Sequence, residues 1–194
     1  MKNRIFALFA ALIAMSSLSS CSSYNNMVTL DETVAQSWAN VETQYQRRAD
    51  LIPNLVNTVK GYATHEQQTL TDVIAARSSA TSMQINPNGL TAENMAAYQR
   101  AQGAVGSALG RLLAISESYP DLKANQNFVE LQAQLEGTEN RIAVARADFN
   151  RVTREYNSTI RRFPANLIAN HFGFEIKPYF EADAAAATAP TVEF

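Results

Sequence analysis

The chain lacks a second cysteine. Cys21 is the single thiol among 194 residues, so no internal disulfide can brace the fold. Histidine is nearly absent too, at His65 and His171 alone. His65-Glu66 opens like a zinc-protease helix motif, but Thr69 stands where the second ligand is required, and both read as solvated polar groups. His171, beside Phe172 and Gly173, reads as packed or exposed rather than catalytic. Glycine and proline are few, 7 and 6, and no glycine-rich phosphate loop follows a strand. No nucleophile–base pair and no metal set emerge, so the chain reads as non-enzymatic and free of cofactors. Long apolar runs are scarce as well. The uncharged apolar run Ile5 to Met15 rises only ~17 Å as a helix, well short of a bilayer core of about 30 Å.

That run has a different meaning. Lys2 and Arg4 precede it and a serine-rich stretch follows, the charged, apolar and small-residue regions of a secretory signal. Leu18-Ser19-Ser20-Cys21 resembles the bacterial lipobox: a branched apolar residue, two small ones and a thiol able to receive diacylglycerol. The resemblance implies cleavage between Ser20 and Cys21 and an acylated Cys21 that holds the chain to a membrane, two or three chains binding far more firmly than one. An ordinary signal peptide with an incidental cysteine, or anchoring by the uncleaved run, are the alternatives. Either way the chain is exported, to a compartment where disulfides are permitted. Cleavage removes Lys2 and Arg4, leaving 14 basic residues of the 16 against 18 acidic ones, a balance that gives no reason to expect nucleic acid.

The remainder reads as helix, divided into residues 1–20 as signal, 21–29 as lipidated terminus and linker, 30–181 as the folded domain and 182–194 as a low-complexity tail. Extended, Ser22 to Thr29 reaches at most ~29 Å. From Leu30 apolar residues recur at steps of three and four through Val34, Trp38, Val41, Tyr45, Ala49, Ile52, Val56, Val59 and Ala63, and continue at Leu70, Val73 and Ile74, which predicts one amphipathic helix or two in series. Asp31 is the candidate N-cap or first-turn acid, and Pro53 is expected to kink the rod by removing the bond to the Ala49 carbonyl. A second helix begins at Thr91, which can cap it, and breaks at Tyr119-Pro120-Asp121. The third is the clearest: Phe128, Leu135, Ile142, Phe149, Tyr156 and Phe163 recur every seven residues, a pattern that favours a left-handed coiled coil, and Pro164 ends it. Ala165 to His171 forms a short fourth helix stopped by Gly173, and Phe172, Phe174, Ile176, Tyr179 and Phe180 form an apolar tail expected to seal one end of the bundle. The fold class is therefore all-α, an antiparallel up-and-down bundle of three long helices plus a short fourth.

Charged groups are the remaining candidates. Glu139 and Arg141 flank the third-helix seam, where pairs with Arg47 or Arg48 are geometrically natural; these four form the candidate interaction surface for a peptide, glycan or partner protein. Gly103, Gly106 and Gly110 suggest close approach of the second helix to a neighbour. Arg151, Arg154, Arg161 and Arg162 make the distal end of the third helix basic, a solvated face or a dock for an acidic partner. Asn157-Ser158-Thr159 matches a glycosylation acceptor and is discarded on its mid-helix position and the lipobox.

Four stretches, R-R-A-D-L-I-P-N-L-V, L-E-G-T-E-N-R-I-A-V-A-R, R-F-P-A-N-L-I-A and K-P-Y-F-E-A-D, resemble the LemA family of bacterial membrane-associated proteins, in order and across Leu30 to Phe194. The resemblance implies an antiparallel helical bundle outside a bacterial membrane and supplies no reaction or active site. Many family members carry a transmembrane helix; here the lipobox replaces it, so no topology is copied across. The expectation is a lipid-anchored scaffold or adaptor with an envelope protein partner. A binding protein for a small ligand or glycan, needing a polar-lined cavity between the rods, and an unrecognised envelope enzyme are the rivals.

Overall fold

The computed structural model describes the backbone of residues 2–181 and the side chains of residues 22–181 apart from that of residue 88. The proposed tail 182–194 and the side chains of Ser20 and Cys21 lie outside the described residues. The elements in order are α1 (Lys2–Lys60), α2 (Gln67–Ser82), a 3-10 turn (Pro87–Gly89), α3 (Ala92–Ile115), a 3-10 turn (Ser116–Ser118), α4 (Pro120–Lys123), α5 (Gln126–Arg161) and α6 (Ala165–Phe172). Among the described residues there is no strand. The bundle is all-α and runs up and down, α1 packing chiefly along α5 and α2 along α3.

The first rod is two helices, folded back on itself at residues 61–66 and not at Pro53. At the corner the last α1 carbonyls are closed by tight turns, with Ala63 N donating to Val59 O at 2.8 Å and Tyr62 N to the same oxygen at 3.0 Å. Gly61 lowers helix propensity there, and the fully buried Ala63 plugs the bend. Pro53 does leave the Ala49 carbonyl without its helical donor, but Arg77 Nε of α2 supplies one at 2.7 Å, and α1 runs on to Lys60. The other helix ends follow local chemistry. Thr91 Oγ1 accepts from Asn94 N while Asn94 Oδ1 accepts from Thr91 N, a reciprocal cap on α3. Asn125 caps α5 by accepting from Phe128 N, and Pro120 opens α4, where its missing N–H is harmless.

The α5 seam is buried at Phe128, Leu135, Ile142, Phe149 and Tyr156. Phe163 departs from it and is 81% exposed, because Arg162 turns to an extended backbone with ψ 144° and the register stops. Two more expectations are corrected. The 21–29 segment, read as a short linker, is helical and carries Met27 into the core at 1% exposure, so packing begins before Leu30. Asp31 lies inside α1, paired with the Lys177 ammonium, and caps nothing.

The tail folds back along the side of the bundle instead of across its end. Phe180 is buried, stacked on Trp38 with centroids 5.8 Å apart and edge-on to Phe149 at 5.4 Å. Two asparagines seven residues apart on α5 hold its backbone. Asn157 Oδ1 accepts from Lys177 N at 2.9 Å and Nδ2 donates to Lys177 O at 2.8 Å. Asn150 repeats the arrangement with Phe180, at 2.8 and 2.9 Å. Each amide side chain thus substitutes for a neighbouring strand. Phe174 is partly buried, while Phe172, Ile176 and Tyr179 stay exposed.

Candidate functional site

The apolar core is divided in two. One cluster gathers Met27, Trp38, Tyr45, Tyr98, Phe149 and Tyr156 toward the α6 end. The other gathers Ile52, Val59, Leu70, Leu112, Leu122 and Phe128 toward the α1–α2 corner. Between them lies a polar layer built on Arg48.

Arg48 occupies a core-facing position because it falls between Tyr45 and Ile52 at the helical steps of three and four. It is 4% exposed. Its Nη1 donates to Glu139 Oε1 of α5 at 3.0 Å. Its Nη2 donates to both the backbone oxygen and Oε1 of Gln102 in α3, at 2.9 and 2.7 Å. The guanidinium also lies over the Tyr45 ring, 5.0 Å from its centroid. One α1 side chain thereby links three helices, and its buried charge is compensated by a carboxylate and two acceptors, the condition under which a buried ion is tolerated. Burial raises the phenol pKa of Tyr45 and of Tyr98; nearby Arg146 and Arg48 oppose the shift at Tyr45, while the neighbouring Tyr45 and Glu42 add to it at Tyr98. Both rings are neutral packing groups at physiological pH.

Grooves open on both sides of this layer. One, of about 630 Å³, lies between α3 and α5, with Arg48, Gln102 and Glu139 at its floor and Arg100, Ser107 and Arg146 around it. The other, of about 1010 Å³, lies between α1 and the α2–α3 pair and includes Arg47, Arg77 and Gln84. The glycines explain part of the first. A Cβ added at Gly103 or Gly110 would meet nothing within 4 Å, so these residues do not seat a close helix contact as their clustering suggests; only Gly106 faces a neighbour, the Arg48 Nη1 at 4.0 Å. The glycine stripe keeps one wall of the groove low.

The structure therefore unites two of the four charged candidates. Arg48 and Glu139 pair, whereas Arg47 is exposed along the second groove and Arg141 is exposed beside Asn40 and Gln44 in a separate α1–α5 groove. Gln102 escaped sequence reading, although a gap in the apolar pattern of α3 marks it, since Tyr98, Val105, Leu109 and Leu112 leave position 102 as the missing core step. Arg146, which donates to the Glu181 carbonyl at 2.9 Å and covers the Phe180 ring, carried no comparable signal. His65 and His171 are both exposed, and among the described residues no group of three His, Cys, Asp or Glu could hold a metal ion. Among the described residues no helix is long and apolar enough to cross a membrane.

Comparison with known proteins gives consistent relatives. Magnetosome protein MamQ of Magnetospirillum gryphiswaldense is 30% identical over 182 residues, covering 85% of this chain and 67% of the relative. Magnetosome protein MamQ 1 of Paramagnetospirillum magneticum is 29% identical over the same length and shares. Protein LemA of Metamycoplasma hominis is 20% identical over 158 residues, 81% of this chain and 68% of the relative. The LemA family profile matches residues 37–194, which takes in both halves of the Arg48–Glu139 pair and the clamped tail up to Glu181. The chain belongs to the LemA family.

Proposed function

We propose that this chain is a lipoprotein of the cell envelope that acts as a non-enzymatic scaffold or adaptor, held to a membrane by acylated Cys21. The observation that carries the reading is the continuity of α1: the helix passes from Ser22 into the core without a joint, and Met27 is already 1% exposed. Six residues of helix rise only ~9 Å, so a lipid on Cys21 would fix the whole bundle at the bilayer rather than tether it loosely. Relatives named magnetosome protein and the family assignment support a membrane-associated role over a metabolic one. Ser22 and Ser23 follow the cysteine, with no aspartate to suggest inner-membrane retention, which favours an outer membrane. Co-purification of the lipidated chain from its own envelope is the test. A stoichiometric protein partner supports the adaptor; a chain that elutes alone and empty contradicts it.

A second reading rests on the α3–α5 groove, where Arg100 and Arg146 stand beside the Arg48–Glu139 pair, with Glu181 on the same concave surface. Such a site suits a small anionic ligand, and a molecule retained in that purification, lost on Arg100→Gln, would favour it.

A further inference from the structure

We propose that the end of the bundle formed by α6 and the stretch of α1 around Tyr24 lies against the lipid headgroups, so that the domain meets the bilayer through a protein face as well as through its anchor. This rests on the reading of Cys21 as the lipidated residue and adds an interface to it.

The first observation is where the exposed apolar side chains are. Tyr62, Ile74, Val129 and Val144 are scattered singly over the helices. Tyr24, Phe163, Leu167, Phe172 and Ile176 are not. Leu167 is 61% and Phe172 58% exposed on α6 itself, with Phe163 at 81% and Ile176 at 60% on its two flanks. Tyr24 joins them in space, its ring 4.7 Å from that of Phe172 and 5.8 Å from that of Phe174. Single exposed apolar residues need no explanation, but five gathered at one end of the bundle, on α6, beside it and against it, mark an interaction site.

Helix α6 is apolar beyond what packing requires. Ala169 is buried, and Ala165 and Ile168 pack on the core, which is enough to seat an eight-residue helix. Leu167 and Phe172 lie outside that contact and remain apolar.

Continuity and charge select a bilayer as the occupant. Tyr24 follows Cys21 by three residues, ~4.5 Å of helix rise, so a lipidated Cys21 brings this end, and no other, to the headgroups. Arg161 and Arg162 close α5 at the same end, both exposed, while Glu175 is the single acid from Arg161 through Ile176. Aromatic and aliphatic groups flanked by two arginines match an anionic interface.

The test uses the full lipidated chain on vesicles of phosphatidylglycerol and phosphatidylcholine whose acyl chains are brominated, a quencher of tryptophan. The native Trp38 is fully buried in the core and gives a constant background. A reporter is introduced as Leu167→Trp, and a control as Val144→Trp, which is 69% exposed at mid-bundle; neither site supports the core. The expected result is emission from Leu167→Trp reduced at least two-fold and shifted to the blue, with Val144→Trp unchanged. If the chain floats with the vesicles and Leu167→Trp is quenched no more than the control, the face stands clear of lipid and this inference fails while the anchor survives. If the chain does not float at all, the anchor fails and takes the face with it.

Discussion

Arg48 and Glu139 are 91 residues apart in sequence and 3.0 Å apart in space, joining α1 to α5 at the level where the apolar core is interrupted. The two partners are unequally placed. The Arg48 side chain is 5% exposed and the Glu139 side chain 45%. Losing the carboxylate strands a buried cation, whereas losing the guanidinium leaves a carboxylate that water can reach.

This asymmetry predicts that Glu139→Ala destabilises the bundle by about 1–3 kcal/mol, below the range for a fully buried pair because water screens the exposed side. Arg48→Met, which refills the apolar space, costs less, and combining the two recovers part of the loss of Glu139→Ala. Urea melts of the three variants check the order. Equal losses from both single changes would contradict it.

The tail clamp yields a local prediction. Asn157 is 3% exposed, and its loss leaves Lys177 N–H and C=O unpaired. Asn157→Ala is expected to cost about 2–3 kcal/mol and to speed chymotrypsin cleavage after Tyr179 and Phe180, with hydrogen exchange of the α2–α3 pair unchanged. Uniform acceleration across the whole chain would mean that the tail is not a separable element.

Thr153 is fully buried on α5, and among the described residues its Oγ1 has no hydrogen-bond partner. Replacing the hydroxyl with a methyl removes an unpaired polar atom, so Thr153→Val should raise stability by about 1 kcal/mol. Thr138→Val is the control, since Thr138 Oγ1 donates to Gln134 O at 2.8 Å and should show no such gain. Thermal melts distinguish the two.

Three phenols set the alkaline limit. Burial is the main cause that raises Tyr45, Tyr98 and Tyr156, and the charges of Asp31 and Glu175 help push Tyr156 up to about 12. With the folded value above the unfolded one, both states hold the proton below about pH 10 and stability does not depend on these groups. Above that, unfolding releases protons, so stability falls as pH rises from about 10 to about 12. Urea midpoints at intervals across this range measure it; a midpoint that rises would contradict the assignment.

How much of this was legible in sequence varies with the range of the interaction. The seven-residue repeat of α5 from Phe128 to Tyr156 and the Thr91 cap are local patterns and appear where the sequence places them, while Phe163 falls beyond the end of the helix. Pro53 was legible as a lost hydrogen bond, but its rescue comes from Arg77, 28 residues from the Ala49 carbonyl and on another helix, and has no local signature. The asparagine clamps are equally non-local, because Asn150 and Asn157 bind backbone 30 and 20 residues distant and backbone carries no residue identity. A charged pair across the seam was expected in kind; that Gln102 would complete it depends on which α3 face turns inward. The glycines misled for a physical reason, since small residues permit close approach without requiring it.

Metabolic labelling of cells with an acyl-chain probe is the most direct test of lipid attachment. The native chain should take up the probe and a Cys21→Ser variant should not, while both fold alike. A Cys21→Ser chain labelled as strongly as the native one, or a native chain that takes up none, would contradict the account.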